Sequence, residues 1–220
     1  MHSVYRRWIV ANGSSEALGL GTTFLIGRAV APWLASRSPA DTLLGAAAAV
    51  VLGTLLEGVV VGLAQEQVLR DVLPGLRPRA WAAATGLGAG TAWLIGMIPS
   101  TIVGLVAPFD RTTAPVEPSP LVQYSLAAIL GLVTGPILGS AQWIVLRRHT
   151  RRAGRWLWAN AAAWAVGMPV IFLGMELVPW SRGGVAAAAA IYAVCGATGL
   201  LVGAIHGRVL LRLLSIRSAR

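Results

Sequence analysis

The sequence has no lysine, a single cysteine and only eight acidic residues in 220. Charged residues are 12% of the chain, against roughly 25% in a soluble domain. That scarcity excludes a soluble domain of any size. The solitary Cys195 excludes a disulfide-stapled secreted scaffold. Catalytic signatures are also missing: there is no H-E-x-x-H and no G-x-S-x-G. His206 has no second histidine within two helical turns, since His2 and His149 fall in the N-terminal tail and a loop, so no metal and no cofactor is expected.

What is present is apolar. Mean hydropathy is +0.70 and 56% of the residues are hydrophobic. A bilayer-spanning helix needs roughly 20 such residues, so the composition suffices for about six spans. Six apolar stretches fall at about 8–32, 42–69, 80–107, 121–146, 156–178 and 184–211. The longest connection, 108–120, reads PFDRTTAPVEPSP and is a solvated loop by its prolines. The predicted fold is all-α: one transmembrane domain over 1–220 with six helices.

The net charge of +10 is carried by 18 arginines. In a soluble chain this would suggest nucleic acid; here their placement argues topology instead. Fourteen flank one set of helix ends, while Arg28, Arg37, Arg111 and Arg182 flank the other. By the positive-inside rule both termini are cytoplasmic, in a bacterial inner membrane. Asp41, Asp110, Glu117 and Glu176 lie toward the outer side. Anionic head groups at the cytoplasmic face are the expected charge partners, and no nucleic-acid role is expected. Arg6-Arg7 before an apolar run, with Ala29-Val30-Ala31 beyond, imitates a signal peptide. The run is too long, and carries Asn12 and Glu16, so a retained helix is expected.

An internal repeat is the most specific feature. Arg7-Trp8-Ile9-Val10-Ala11-Asn12 returns as Arg155-Trp156-Leu157-Trp158-Ala159-Asn160, and more weakly as Trp81-Ala82-Ala83-Ala84-Thr85. The even-numbered helices end on a second phrase: Gly58, Gly62, Gln65; then Gly135, Gly139, Gln142; then Gly199, Gly203, His206. The first two copies continue to Val-Leu-Arg, whereas the third has Leu211 in place of that arginine. Three helical hairpins, about 7–71, 79–149 and 155–212, would share one orientation around a pseudo-threefold axis, as parallel repeats. Residues at i, i+4 and i+7 share one helix face, so each glycine pair should seat a small-residue stripe of an odd-numbered helix. The polar belt Asn12, Gln65, Thr85, Gln142 and Asn160 is expected to hydrogen-bond across hairpins as structural glue, with His206 substituting for a glutamine. Trp8, Trp81, Trp143, Trp156 and Trp158 are read as an inner interfacial belt, and Trp33 and Trp180 as an outer one.

Glu57 lies 13 residues from Arg70, about 20 Å along the axis of a helix. An ionisable side chain at that depth is a candidate proton or cation site. Glu16 and His206 are weaker candidates, and Glu66 and Glu176 are expected near the interfaces, solvated or paired with arginine. Pro99, Pro136 and Pro169 fall inside spans and permit kinks. Ser140, after Gly139, belongs to the small-residue spine.

The phrase G-x-x-x-G-x-x-Q-x-x-V-L-R followed by R-x-W-x-x-A resembles that of a group of uncharacterised bacterial multi-pass membrane proteins. The resemblance spans about 7–212, implies a repeated membrane fold, and carries no substrate or site residue with it. The leading expectation is a non-enzymatic packing or scaffold protein, with a membrane-protein partner or a second copy of itself. Its rival is a small-solute or ion transporter, proton-coupled through Glu57. A lipid-modifying enzyme would need His206, Glu66 and an arginine to converge.

Overall fold

A computed structural model describes residues 2–30, 32, 38–106 and 118–218. Among these the chain is helical, without strands. We label the helices α1 (His2–Val30), α2 (Pro39–Arg70), α3 (Ala80–Val106), α4 (Pro120–Leu146), α5 (Arg155–Glu176) and α6 (Gly184–Ser218). The observed bounds lie within a few residues of the expected stretches, except where α1 begins earlier, at His2, and α6 runs on to Ser218. Trp33, Arg37, Asp110, Arg111, Glu117 and Arg220 lie outside the described residues, as does most of the expected 108–120 loop.

Five of these helices, α2 to α6, are long and apolar enough to cross a membrane. This is a membrane protein. The sixth expected span, α1, is long enough at 29 residues but is not among the apolar five. It buries Asn12, Ser15, Glu16 and Thr23 against its neighbours and so hides part of its polarity inside the protein.

Among the described residues, each helix packs against its sequence neighbours, and α6 packs back on α1. The six therefore form a closed ring. The glycine spines close three of its seams. Cβ atoms on Gly58 and Gly62 of α2 would strike Ala89, Gly86, Ala82 and Thr85 of α3. Gly131 and Gly135 of α4 meet the backbone of Trp164 and Asn160 on α5, and Gly139 meets the Asn160 side chain. Gly199 and Gly203 of α6 meet Asn12, Glu16 and Ile9 of α1. The spines thus face the next hairpin in sequence rather than their own hairpin partner. Small residues at a seam let helix backbones approach closely, and single glycines do the same inside two hairpins, where Gly19 of α1 meets the α2 backbone at Leu56 and Glu57 and Gly88 of α3 meets the α4 backbone at Leu138.

Helix α2 is continuous but not uniform. Gly53–Gly58 is a π-helical segment in which the Val59 N–H reaches back five residues to the Thr54 carbonyl. Such a bulge inserts one extra residue and is frequent at functional sites. Pro99, Pro136 and Pro169 sit inside α3, α4 and α5 without ending them.

Candidate functional site

At the arginine-rich end the ring is filled by three tryptophans. Trp8, Trp81 and Trp156 are each 0% exposed. This corrects their reading as an interfacial belt: the rings pack on one another edge-on, with centroids 6.4, 6.0 and 6.0 Å apart. A buried indole N–H needs an acceptor, and each finds one on the preceding even-numbered helix of the ring. Trp81 donates to Gln65 Oε1 at 2.8 Å and Trp156 to Gln142 Oε1 at 2.8 Å. Trp8 donates to His206 Nδ1 at 3.0 Å. The histidine therefore takes over the acceptor role of the glutamines, as its place in the repeat suggests.

The same glutamines bridge their own hairpins. Gln65 Nε2 donates to Asn12 Oδ1 at 2.8 Å, and Gln142 Nε2 to Thr85 Oγ1 at 2.9 Å. A longer bond of 3.2 Å joins Gln142 to Gln65. Asn12, Thr85 and Asn160, four residues beyond their tryptophans, each donate to that tryptophan's carbonyl. The belt is an internal hydrogen-bonded network, and its glutamines serve two seams at once. Trp158, by contrast, is 76% exposed and Trp180 46%, so these two keep an outward position. Arg147 lies over the Trp143 ring and Arg28 over that of Trp180.

The acids fall into two sets. Glu66 was expected near an interface; it pairs with Arg70 at 2.8 Å but is 0% exposed. Its carboxylate also accepts from the backbone N–H groups of Arg79 at 2.7 Å and Ala82 at 3.2 Å. Those are N–H groups at the start of α3, which has no carbonyls before it to satisfy them. Glu66 is thus a cap supplied by a neighbouring helix. Among the described residues Glu176 is held by Gln123 at 2.6 Å and Tyr124 at 2.8 Å. Ser140 donates to its own helix at Ile137.

Glu57 and Glu16 lie deeper. Glu57 is in the π-helical segment and is 7% exposed; Glu16 is 2% exposed. Glu57 Oε2 accepts from Trp93 Nε1 at 2.6 Å, and its Oε1 takes no hydrogen bond from the described residues. Glu16 Oε2 is buried without a partner. The two carboxyls are near enough to interact electrostatically, and no ion pair with a basic side chain compensates either among the described residues. Gly53 and Trp93 explain how the first contact is made. A Cβ at Gly53 would overlap the Trp93 indole, so the glycine leaves room for the ring that reaches Glu57.

Glu57 lines a cavity of about 220 Å³. Its wall draws on α1, α2, α3, α4 and α5, which places it inside the ring. From Trp81 to Trp93 is 12 residues of α3, hence about 18 Å, so the cavity lies well beyond the tryptophan cluster. Phe24, Trp93, Trp164 and Phe172 make its wall aromatic, and Thr134 is its one other polar side chain, with its hydroxyl donating to Leu130 O.

Glu57 and Glu16 are thereby brought close together, while His206 belongs to the tryptophan cluster. His206 and Glu66 have separate partners and form no common site. Trp93 was not anticipated. Its signal was available: a tryptophan far inside a span, away from either interface, must find a buried acceptor. No family model, curated protein or solved structure matches this chain.

Proposed function

We propose that this chain is a non-enzymatic, multi-pass protein of a bacterial cytoplasmic membrane that passes a small solute or ion, proton-linked, by way of Glu57. The observation that carries the reading is a carboxyl 7% exposed, with one oxygen free, in the wall of a cavity inside a ring of helices. A carboxylate in an apolar interior is costly unless neutralised. No described basic side chain pairs with Glu57, so the counter-charge is supplied as a proton or a cation.

Several features support the setting. The arginine asymmetry favours cytoplasmic termini. With α1 running beside α6, six crossings return the chain to its starting side. The near-equal tryptophan triangle and its matched acceptors support three hairpin copies around a pseudo-threefold axis.

The scaffold reading draws on the glycine spines. Gly58, Gly62, Gly135, Gly139, Gly199 and Gly203 are all engaged within the chain, so these spines account for self-packing and not for a partner seam. Pathway function is therefore the better supported of the two.

The test is proton flux in proteoliposomes under an imposed gradient, read with an internal pH dye. Wild-type protein is expected to accelerate dissipation, and Glu57→Gln to return it to the protein-free rate. Equal flux in the variant would remove Glu57 from the mechanism. Absence of flux together with a stoichiometric co-purifying membrane protein would favour the scaffold.

A further inference from the structure

The chemistry of the cavity narrows what it accepts. Resting on the pathway reading above, we propose that the Glu57 cavity binds a small lipophilic monocation, of the alkylammonium type, in exchange for a proton.

Three observations converge. The first is charge: among the described residues Glu57 Oε1 is unbonded and the carboxyl has no basic partner. The second is the wall. Phe24, Trp93, Trp164 and Phe172 present aromatic surface, and Met168 adds a polarisable thioether. Aromatic faces attract cations through their quadrupole, and desolvation strengthens the attraction. They also accept alkyl groups, which a hydrated inorganic ion lacks. The third is size. At about 220 Å³ the cavity is smaller than the roughly 300–1,000 Å³ of drug-sized sites. It fits a compact cation and excludes a bulky one.

An anion is disfavoured by Glu57 and Glu16 together. A small inorganic cation is disfavoured because the wall offers few oxygens to replace its hydration shell.

Charge balance defines the exchange. The empty site holds a proton on the carboxyl. An entering monocation takes its place as counter-charge, and the proton leaves to solvent, with no bond formed to the ligand. Other titratable groups within electrostatic reach of Glu57 are Glu16 from α1 and the Cys195 thiol from α6. From α3 comes the Trp93 N–H, from α4 the Thr134 hydroxyl, and from α5 only apolar and aromatic surface. Glu16 is thus a second acid from which the released proton could come, and a double variant separates the two.

The full chain in lipid nanodiscs is titrated calorimetrically with tetraethylammonium, with its neutral isostere 3,3-diethylpentane, and with the oversized tetraphenylphosphonium. Buffers of different ionisation enthalpy count the protons released. Tetraethylammonium is expected to bind with release of one proton, and the other two not to compete. Glu57→Gln should weaken binding by about tenfold or more, the loss of a desolvated charge contact. Glu16→Gln should retain binding, and Glu16→Gln with Glu57→Gln should behave as Glu57→Gln alone. Met168→Trp, which fills the cavity and keeps the carboxyl, should also abolish binding, and it decides the matter if Glu57→Gln does not fold.

Binding unaffected by Glu57→Gln or Met168→Trp overturns the proposal. So does equal binding of the neutral isostere. If no cation binds while Glu57-dependent proton flux persists, the cation assignment falls and the pathway reading stands. If cations bind at Glu57 but no flux occurs, the pathway reading falls and the binding site stands.

Discussion

At the residue scale, the polar groups inside this protein divide by whether their partners are built in. Gln142 illustrates the satisfied kind. Its amide donates to Thr85 and Gln65 and accepts from Trp156, all while 1% exposed. Replacing it with leucine orphans the Trp156 N–H, and a buried unpaired donor costs about 1–3 kcal/mol. Gln142→Leu is therefore expected to lower stability by about 2 kcal/mol, measured by unfolding in mixed micelles. His206→Gln keeps an acceptor for Trp8 and should change stability by less than about 1 kcal/mol, whereas His206→Leu should resemble Gln142→Leu. Equal losses in both His206 variants would mean that the imidazole does more than accept. Glu57 and Glu16 are of the other kind, with oxygens left open. Buried polarity without a partner is costly, which is why these two acids, and not the better-bonded belt, carry the functional reading.

At the scale of elements, the seams between helices depend on side chains that are absent. A Cβ on Gly135 would sit 2.5 Å from the Asn160 carbonyl oxygen and 3.1 Å from the Ala161 Cα. Backbone atoms cannot rotate away, so α4 and α5 would have to part. Gly27 of α1, where an added Cβ meets nothing within 4 Å, is the matched control. Gly135→Ala should destabilise by about 2 kcal/mol or more, as overpacking does. Gly27→Ala should be neutral or stabilising by up to about 1 kcal/mol from helix propensity. The same unfolding assay reads both, and indistinguishable effects would sink the close-packed seam. The π-helical Gly53–Gly58 segment works in the opposite sense. It sacrifices regular hydrogen bonding in α2 to present Glu57 beside Trp93.

At the scale of the whole molecule, the ring separates two tasks. Its arginine-rich end is closed by the tryptophan cluster and its hydrogen bonds, which hold six helices together. Farther along, the interior opens into the Glu57 cavity. Orientation across the membrane is testable without disturbing either. Cys195 is buried, so in a Cys195→Ala background single cysteines can be placed at Ser3, His149 and Ser181. An impermeant maleimide added to intact cells is expected to label the Ser181 position only, with the other two labelled after lysis. Labelling of the Ser3 or His149 position in intact cells would reverse the proposed topology.

The sequence by itself determined the all-helical membrane character, because bilayer-length apolar runs and scarce charge permit little else. It also determined the approximate helix bounds, apart from the start of α1 and the end of α6, and the periodic glycine and glutamine positions, since helical geometry ties spacing directly to one face. Glu57 was visible as an acid out of place. Only the tertiary structure decided what surrounds it. Trp93 is 36 residues away and Glu16 is 41 away, so their approach to Glu57 depends on ring closure and on a local π-helical register that no side-chain pattern announces. The same holds for Trp8, Trp81 and Trp156. Each alone reads as an interfacial anchor; the closing of the ring, by seams too tight for any side chain, turned all three inward.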